Sequence, residues 1–256
     1  MTNFIQFLVE SSDLPDLPEP NEAYSFRYHH KLNSRIWVDD DTLKPEILKK
    51  LRVIAREYYQ FLDIKEYKID DVIFTGSVAN YNYTAFSDID LHIILDVTSE
   101  EQASSTIDFA DFLDTKKKLW GEEHNIQIYG YPVELYAQLK DEVLTASGVY
   151  SVTNEKWNLK PKKLKGMEDK IDQYAINIKA KAIKREIDEL ADTHSGNIGD
   201  IKALKAKIKD MRQSGLKKAG EFSVENLVFK NLRNTGYLEK LQDLNLNAFD
   251  KALSLY

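Results

Sequence analysis

Two aspartates and a Gly-Ser pair are the residues of this chain best placed to do chemistry. Asp88 and Asp90 stand one residue apart in Asp88-Ile89-Asp90-Leu91-His92-Ile93-Ile94-Leu95. Alternate side chains of a strand share a face, so both acids point the same way while Ile89 and Leu91 turn into a core. Two carboxylates held that close repel each other unless a cation sits between them. Oxygen-only donors suit a hard divalent ion, Mg²⁺ or Mn²⁺. The same pair also fits a solvated strand edge. Upstream, the apolar run Val72-Ile73-Phe74-Thr75 reads as a buried strand that stops at Gly76-Ser77. Gly76 permits close backbone approach, and Ser77 offers a hydroxyl and an N–H where a helix could start. Together they suit a phosphate cradle, which the loop residues Asn80 and Ser87 could extend, although a plain turn has the same composition.

The order of these pieces is more specific than any one of them. Phe74-Thr75-Gly76-Ser77, a ten-residue gap and Asp88-Ile89-Asp90-Leu91 resemble the signature of the nucleotidyltransferase superfamily, which includes DNA polymerase β-like and MNT-type members. The resemblance implies a third acid on a later strand of the same sheet. Glu134 is the candidate. It lies in Val133-Glu134-Leu135-Tyr136-Ala137-Gln138, an alternating run that follows Asn125-Ile126-Gln127-Ile128-Tyr129-Gly130 across a Tyr131-Pro132 break, so the two runs read as a hairpin. A Glu stands here where many relatives have Asp.

What the resemblance implies is an Mg²⁺- or Mn²⁺-dependent transfer of an NMP from an NTP to an acceptor hydroxyl, with release of pyrophosphate. Asp88, Asp90 and Glu134 would be the catalytic metal ligands, Glu134 would also serve as or orient the base, and Gly76, Ser77, Asn80 and Ser87 would contact the nucleotide. A protein hydroxyl and an RNA 3′ end are the favoured acceptors. Many relatives carry an Arg just after Gly-Ser. Here Val78 to Ser87 holds no cation, so positive charge for the triphosphate must come from elsewhere. The alternative is a module of the same fold that has lost turnover and binds a nucleotide, nucleic acid or partner protein. His92 shares a strand face with Asp90 and reads as a packed histidine. His29-His30 has no further zinc-ligand context.

The elements that must position these residues form an α+β pattern. A helix capped at Asp41-Thr42, with Pro45 in its first turn, carries Leu48, Leu51, Ile54, Ala55, Tyr58 and Phe61 or Leu62 at helical spacing. The two motif strands follow, then a helix over Ser99 to Trp120, then the Glu134 hairpin. That order predicts a small mixed sheet with helices on one face. A further small hairpin spans 149–159. Helices over Lys163 to Ala191, over Gly199 to Lys218 and after a Ser223 cap predict a C-terminal helical bundle. The expected division is an N-terminal extension and linker over 1–40, a catalytic domain over 41–148 and a helical domain over 149–256.

Composition bounds the rest. The chain has 256 residues, 43% hydrophobic, with no cysteine, so disulfides and thiolate zinc sites are excluded and a reducing cytoplasm is expected. No apolar run is long enough to span a membrane, and the first ten residues lack the basic region of a signal peptide. Between Lys156 and Lys218 there are 17 Lys and Arg against 9 Asp and Glu, a local +8 within a chain of net −7, so the remainder carries −15. A basic helical arm beside an acidic body favours a macromolecular acceptor such as protein or RNA, though a solvated helix surface has the same charge pattern.

Overall fold

In the computed structural model, residues 26–97, 109–142, 146–166, 171–192 and 198–255 are described. Helix α1 (Pro45–Leu62) buries Ile47, Leu51, Ile54, Ala55, Tyr58 and Leu62 on one stripe. It starts at Pro45, with Lys44 as N-cap and no side-chain cap, rather than at Asp41-Thr42. The latter two residues instead give their N–H groups to Asp39 Oδ1, closing a turn before the helix. The helix stops at Asp63 in a left-handed conformation, φ 55°.

Strand β1 (Lys68–Thr75) then pairs antiparallel with β2 (Ile89–Asp96). Along β2, Ile89, Leu91, Ile93 and Leu95 are fully buried while Asp90, His92 and Ile94 are only half-buried, which is the alternation a one-sided strand requires. Helix α2 (Phe109–Glu123) follows, and residues 99–108 of the helix predicted from Ser99 lie outside the described residues. Strands β3 (Gln127–Ile128) and β4 (Tyr131–Leu139) form the expected hairpin through a tight Tyr129-Gly130 turn, both residues at positive φ. A last hairpin, β5 (Val149–Ser151) and β6 (Lys156–Leu159), completes a six-stranded mixed sheet of order β3-β4-β2-β1-β5-β6. Among the described residues only β2 and β4 pair in parallel. Helix α1 packs on β2 and α2 on β4. The two helices meet through the rings of Tyr58, Phe61 and Trp120, forming one layer against the sheet.

The expected divisions at 40/41 and 148/149 both fall inside this unit, which runs over His29–Lys163. At its N-terminal end Leu32, Ile36 and Trp37 are core residues, and Trp37 stacks on Phe74 and Trp157. At the other end the β5–β6 hairpin is tied to β1. Buried Asp71 accepts hydrogen bonds from Ser151 Oγ at 2.7 Å and Asn158 Nδ2 at 3.1 Å, and Thr75 Oγ1 donates to the Gly148 carbonyl at 2.8 Å. A carboxylate buried in a sheet needs such partners, and this hairpin supplies them.

A second unit holds residues 26–28 together with Leu164 onward. Its helices are α3 (Gln173–Asp192), α4 (Ile198–Ala219), α5 (Val224–Asn234) and α6 (Tyr237–Leu253). Ile176, Ala180, Ile183 and Ile187 recur every three to four residues along α3 and pack with Ile201, Leu204 and Ile208, with Leu227, Val228 and Leu232, and with Phe26. The Ser223 cap predicted from sequence is present, its hydroxyl accepting from Asn226 N. The helix it opens ends at Asn234, and Gly236 at φ 74° starts a separate helix that carries Leu238 and Leu241. Among the described residues no helix is long and apolar enough to cross a membrane.

Candidate active site

The parallel pairing of β2 with β4 assembles what the sequence keeps far apart. Its register sets Asp90 opposite Glu134, His92 opposite Tyr136 and Ile94 opposite Gln138. On the other side of β2, Asp90 lies opposite Thr75, the last residue of β1. Asp88, Asp90 and Glu134 are all half-buried, and each offers a carboxylate oxygen within 4.8 Å of the others. Three hard oxygen donors this close, open to solvent on one side, fit a divalent cation of the Mg²⁺ or Mn²⁺ type.

Gly76 is built into the same cluster. Its φ of 84° lies in the left-handed region, and a Cβ there would stand 1.9 Å from Asp90 Oδ2. Only a residue without a side chain lets the end of β1 approach that carboxylate. Ser77 opens a short 3-10 turn (Ser77–Ala79), and Trp37 Nε1 donates to the Val78 carbonyl at 2.9 Å, fixing that turn to the core. Gly148 lies against it, with so little room that a Cβ would fall 2.3 Å from the Ala79 carbonyl oxygen.

The polar residues of the loop are turned to internal work. Ser77 Oγ donates to Ser87 Oγ at 2.7 Å, and Ser87 Oγ also accepts from Thr84 N at 2.9 Å, so two buried hydroxyls close the base of the ten-residue loop. Asn80 is buried and its Oδ1 accepts from Tyr81 N. Of the residues singled out in the sequence, Gly76, Asp88, Asp90 and Glu134 therefore converge, while Ser77, Ser87 and Asn80 hold the loop in shape. A cation does stand beside this loop. Lys163 Nζ lies 5.6 Å from the centre of the Tyr81 ring and 2.5 Å from Asp40 Oδ2.

Two residues of the site were missed in the sequence. Tyr136 lies two positions beyond Glu134 on the same strand face, and its hydroxyl donates to Glu134 Oε2 at 2.6 Å. Burial above all, then that bond and the charges of Glu134, Asp90 and Asp88, push the phenol far above its ordinary pKa, so it remains a proton donor. Lys117 of α2 reaches the same oxygen at 4.0 Å, with its ammonium 3.6 Å above the Tyr136 ring. Both left a signal. Tyr136 has the period-two spacing from Glu134. Lys117 falls between Leu113 and Trp120 at spacings of four and three, which places a lysine on the stripe that faces the sheet. His92 is packed, as expected: it stacks on Tyr136, and its Nδ1 lies 2.6 Å from Gln138 Oε1. Burial holds its pKa below the ordinary imidazole value, against the opposing effect of that bond.

A family model for the nucleotidyltransferase domain matches residues 48–189, more than half of the chain. Among solved structures, a STING-associated CdnE c-di-GMP synthase from Capnocytophaga granulosa is matched at 14% identity over 82% of this chain and 84% of that one, with a TM-score of 0.22. That likeness is too loose to bear on fold or substrate. No curated protein gives a significant match.

Proposed function

The chain belongs to the nucleotidyltransferase domain family, and we propose that it transfers an NMP from an NTP to the hydroxyl of a protein or RNA acceptor in a reaction that depends on a divalent cation. The observation that carries this reading is the convergence of Asp88, Asp90 and Glu134 beside a glycine that no other residue could replace.

Each group then has a task. Asp88, Asp90 and Glu134 hold the cation, Mg²⁺ or Mn²⁺. When bound, it supplies Lewis-acid stabilisation of the phosphate oxygens and of the charge that develops as pyrophosphate leaves. Gly76 brings the backbone of the β1 turn against the acids, where the Ser77 region lies along the triphosphate. Ser77, Ser87 and Asn80 act on the nucleotide by fixing that backbone. Glu134 takes the proton of the acceptor hydroxyl as its oxygen bonds to the α-phosphorus and the bond to the β-phosphate bridge breaks. Tyr136 orients Glu134 for this by holding Oε2. Lys163 stands beside Tyr81 of the loop, its charge matched by Asp40.

The basic balance between Lys156 and Lys218 supports a macromolecular acceptor, by attraction of a polyanion or an acidic protein surface. The lack of cysteine fits a reducing cytoplasm. The cation-free loop favours one other reading, a module that binds nucleotide without turning it over.

The test is incubation with each α-³²P-labelled NTP, Mg²⁺ or Mn²⁺ and a cell lysate, beside Asp88→Asn/Asp90→Asn. A labelled protein or RNA band present only with the wild-type chain is the expected result. Nucleotide binding with no label on any acceptor and no pyrophosphate would favour the binding module.

A further inference from the structure

Lys117 occupies an unusual position for a lysine. It projects from the sheet-facing stripe of α2, between buried Leu113 and buried Trp120. Its Nζ is 4.0 Å from Glu134 Oε2 and 3.6 Å from the centre of the Tyr136 ring, an arrangement that combines an ion pair with a cation–π contact. The neighbouring lysines point elsewhere: Lys116 donates to the Phe61 carbonyl and Lys118 pairs with Asp114. Tyr136 itself is held in place by the stacked His92 ring. Lys117 also lines a cavity of about 140 Å³ together with Tyr136, Asp114 and Glu142. Its surroundings thus include Glu134 of the cluster and two further acids at the cavity, of which Asp114 is paired with Lys118.

We propose that Lys117 is the resident counter-ion of the acidic cluster: it neutralises Glu134 when no metal is bound, and an arriving divalent cation displaces it into the adjoining acidic cavity. The inference rests on the reading of Asp88, Asp90 and Glu134 as a metal site. Three carboxylates within 4.8 Å repel one another, and a fixed positive charge on one of them eases that repulsion. The same charge opposes a second cation at that oxygen, so the lysine lowers the affinity of the empty site for free metal. Both partners are partly exposed, at 33% and 43% of their side-chain surface. Solvent screening therefore keeps the effect at the low end for charges 4 Å apart, about fivefold in affinity. Lys117 is a positioning residue in this scheme, acting on the metal through Glu134.

The measurement is Mn²⁺ affinity of the full chain without nucleotide, by electron paramagnetic resonance and calorimetry, for wild type, Asp88→Asn, Lys117→Met, Lys117→Gln and Lys117→Arg. Tightening by about fivefold in Lys117→Met and Lys117→Gln is expected, with Lys117→Arg close to wild type. General damage to the fold would weaken binding, so the direction of the change separates the two causes. In a Glu134→Gln background, Lys117→Met should shift affinity by less than about twofold, because the coupling runs through that carboxylate. Unchanged or weaker binding in both neutral variants, with wild-type binding that Asp88→Asn abolishes, would overturn the counter-ion role and leave the metal site standing. Absence of any Asp88-dependent Mn²⁺ binding would overturn the metal site and the inference together.

Discussion

The two flanks of the candidate site are built on opposite principles. On the β2–β4 flank, Asp88, Asp90 and Glu134 are half-buried, and the known partners of Glu134 approach a single oxygen. On the β1 flank, Ser77, Asn80 and Ser87 are buried, with the two serines bonded to each other and Asn80 bonded into its own turn. One flank keeps charge accessible at the cost of repulsion. The other consumes its polar groups to hold backbone in place. Polar residues of one motif therefore divide into those left half-exposed and those used for shape, and their environment makes the division.

That contrast can be broken in stages. Gly76→Ala joins the two flanks and should do most harm: the new Cβ would fall on Asp90 Oδ2 at a positive φ. About 3 kcal/mol or more of stability should be lost, read as a large fall in the denaturant midpoint, along with activity. Glu134→Gln touches only the open flank. It should lower turnover about 100-fold with a much smaller change in NTP binding and little change in melting temperature. An unchanged rate would shift the base role to another group. Ser87→Ala touches only the closed flank and leaves Ser77 Oγ and Thr84 N without their partner. It should cost about 1–3 kcal/mol of stability, with any loss of activity following the loss of loop order. A normal melting temperature with abolished nucleotide binding would instead make Ser87 a direct ligand.

The smallest effect is expected away from both flanks, at Tyr58 in α1. This side chain is fully buried, and its hydroxyl has no hydrogen-bond partner among the described residues. Burial first, and the charge of Asp114 second, push its pKa up to about 12. A folded-state pKa raised above the ordinary phenol value of about 10 contributes stability that is complete below pH 10 and lost as pH rises toward 12. Tyr58→Phe should be neutral or slightly stabilising at pH 7 and should shrink the alkaline loss, as measured by thermal melts from pH 8 to 11. A marked destabilisation at pH 7 would mean that the hydroxyl has a partner after all.

Much of this molecule is legible along the chain. The β-branched run Val72 to Thr75, the alternation from Ile89 to Leu95 and the hairpin around Gly130 are local patterns, and each folds as the pattern predicts. So does the Ser223 cap, since capping depends on groups only three residues apart. The departures share a cause. Asp41-Thr42 has the composition of a cap, yet Asp39 takes its N–H groups first. For residues 29–40 and the 149–159 hairpin, nothing local shows that Trp37 stacks on Phe74 or that Ser151 bonds to buried Asp71.

The sequence by itself determined the chemical inventory: two acids on one strand face, a third on a later strand, and a glycine where the first strand ends. Local sterics and side-chain period suffice for that. The tertiary structure decided which groups meet. Only the parallel register of β2 with β4 sets Asp90 against Glu134, and only the packing of α2 on β4 brings Lys117 over Tyr136. It also turned Ser77 and Ser87 inward to each other. Long-range pairing depends on the burial of surfaces far apart in the chain, which no short window of residues contains.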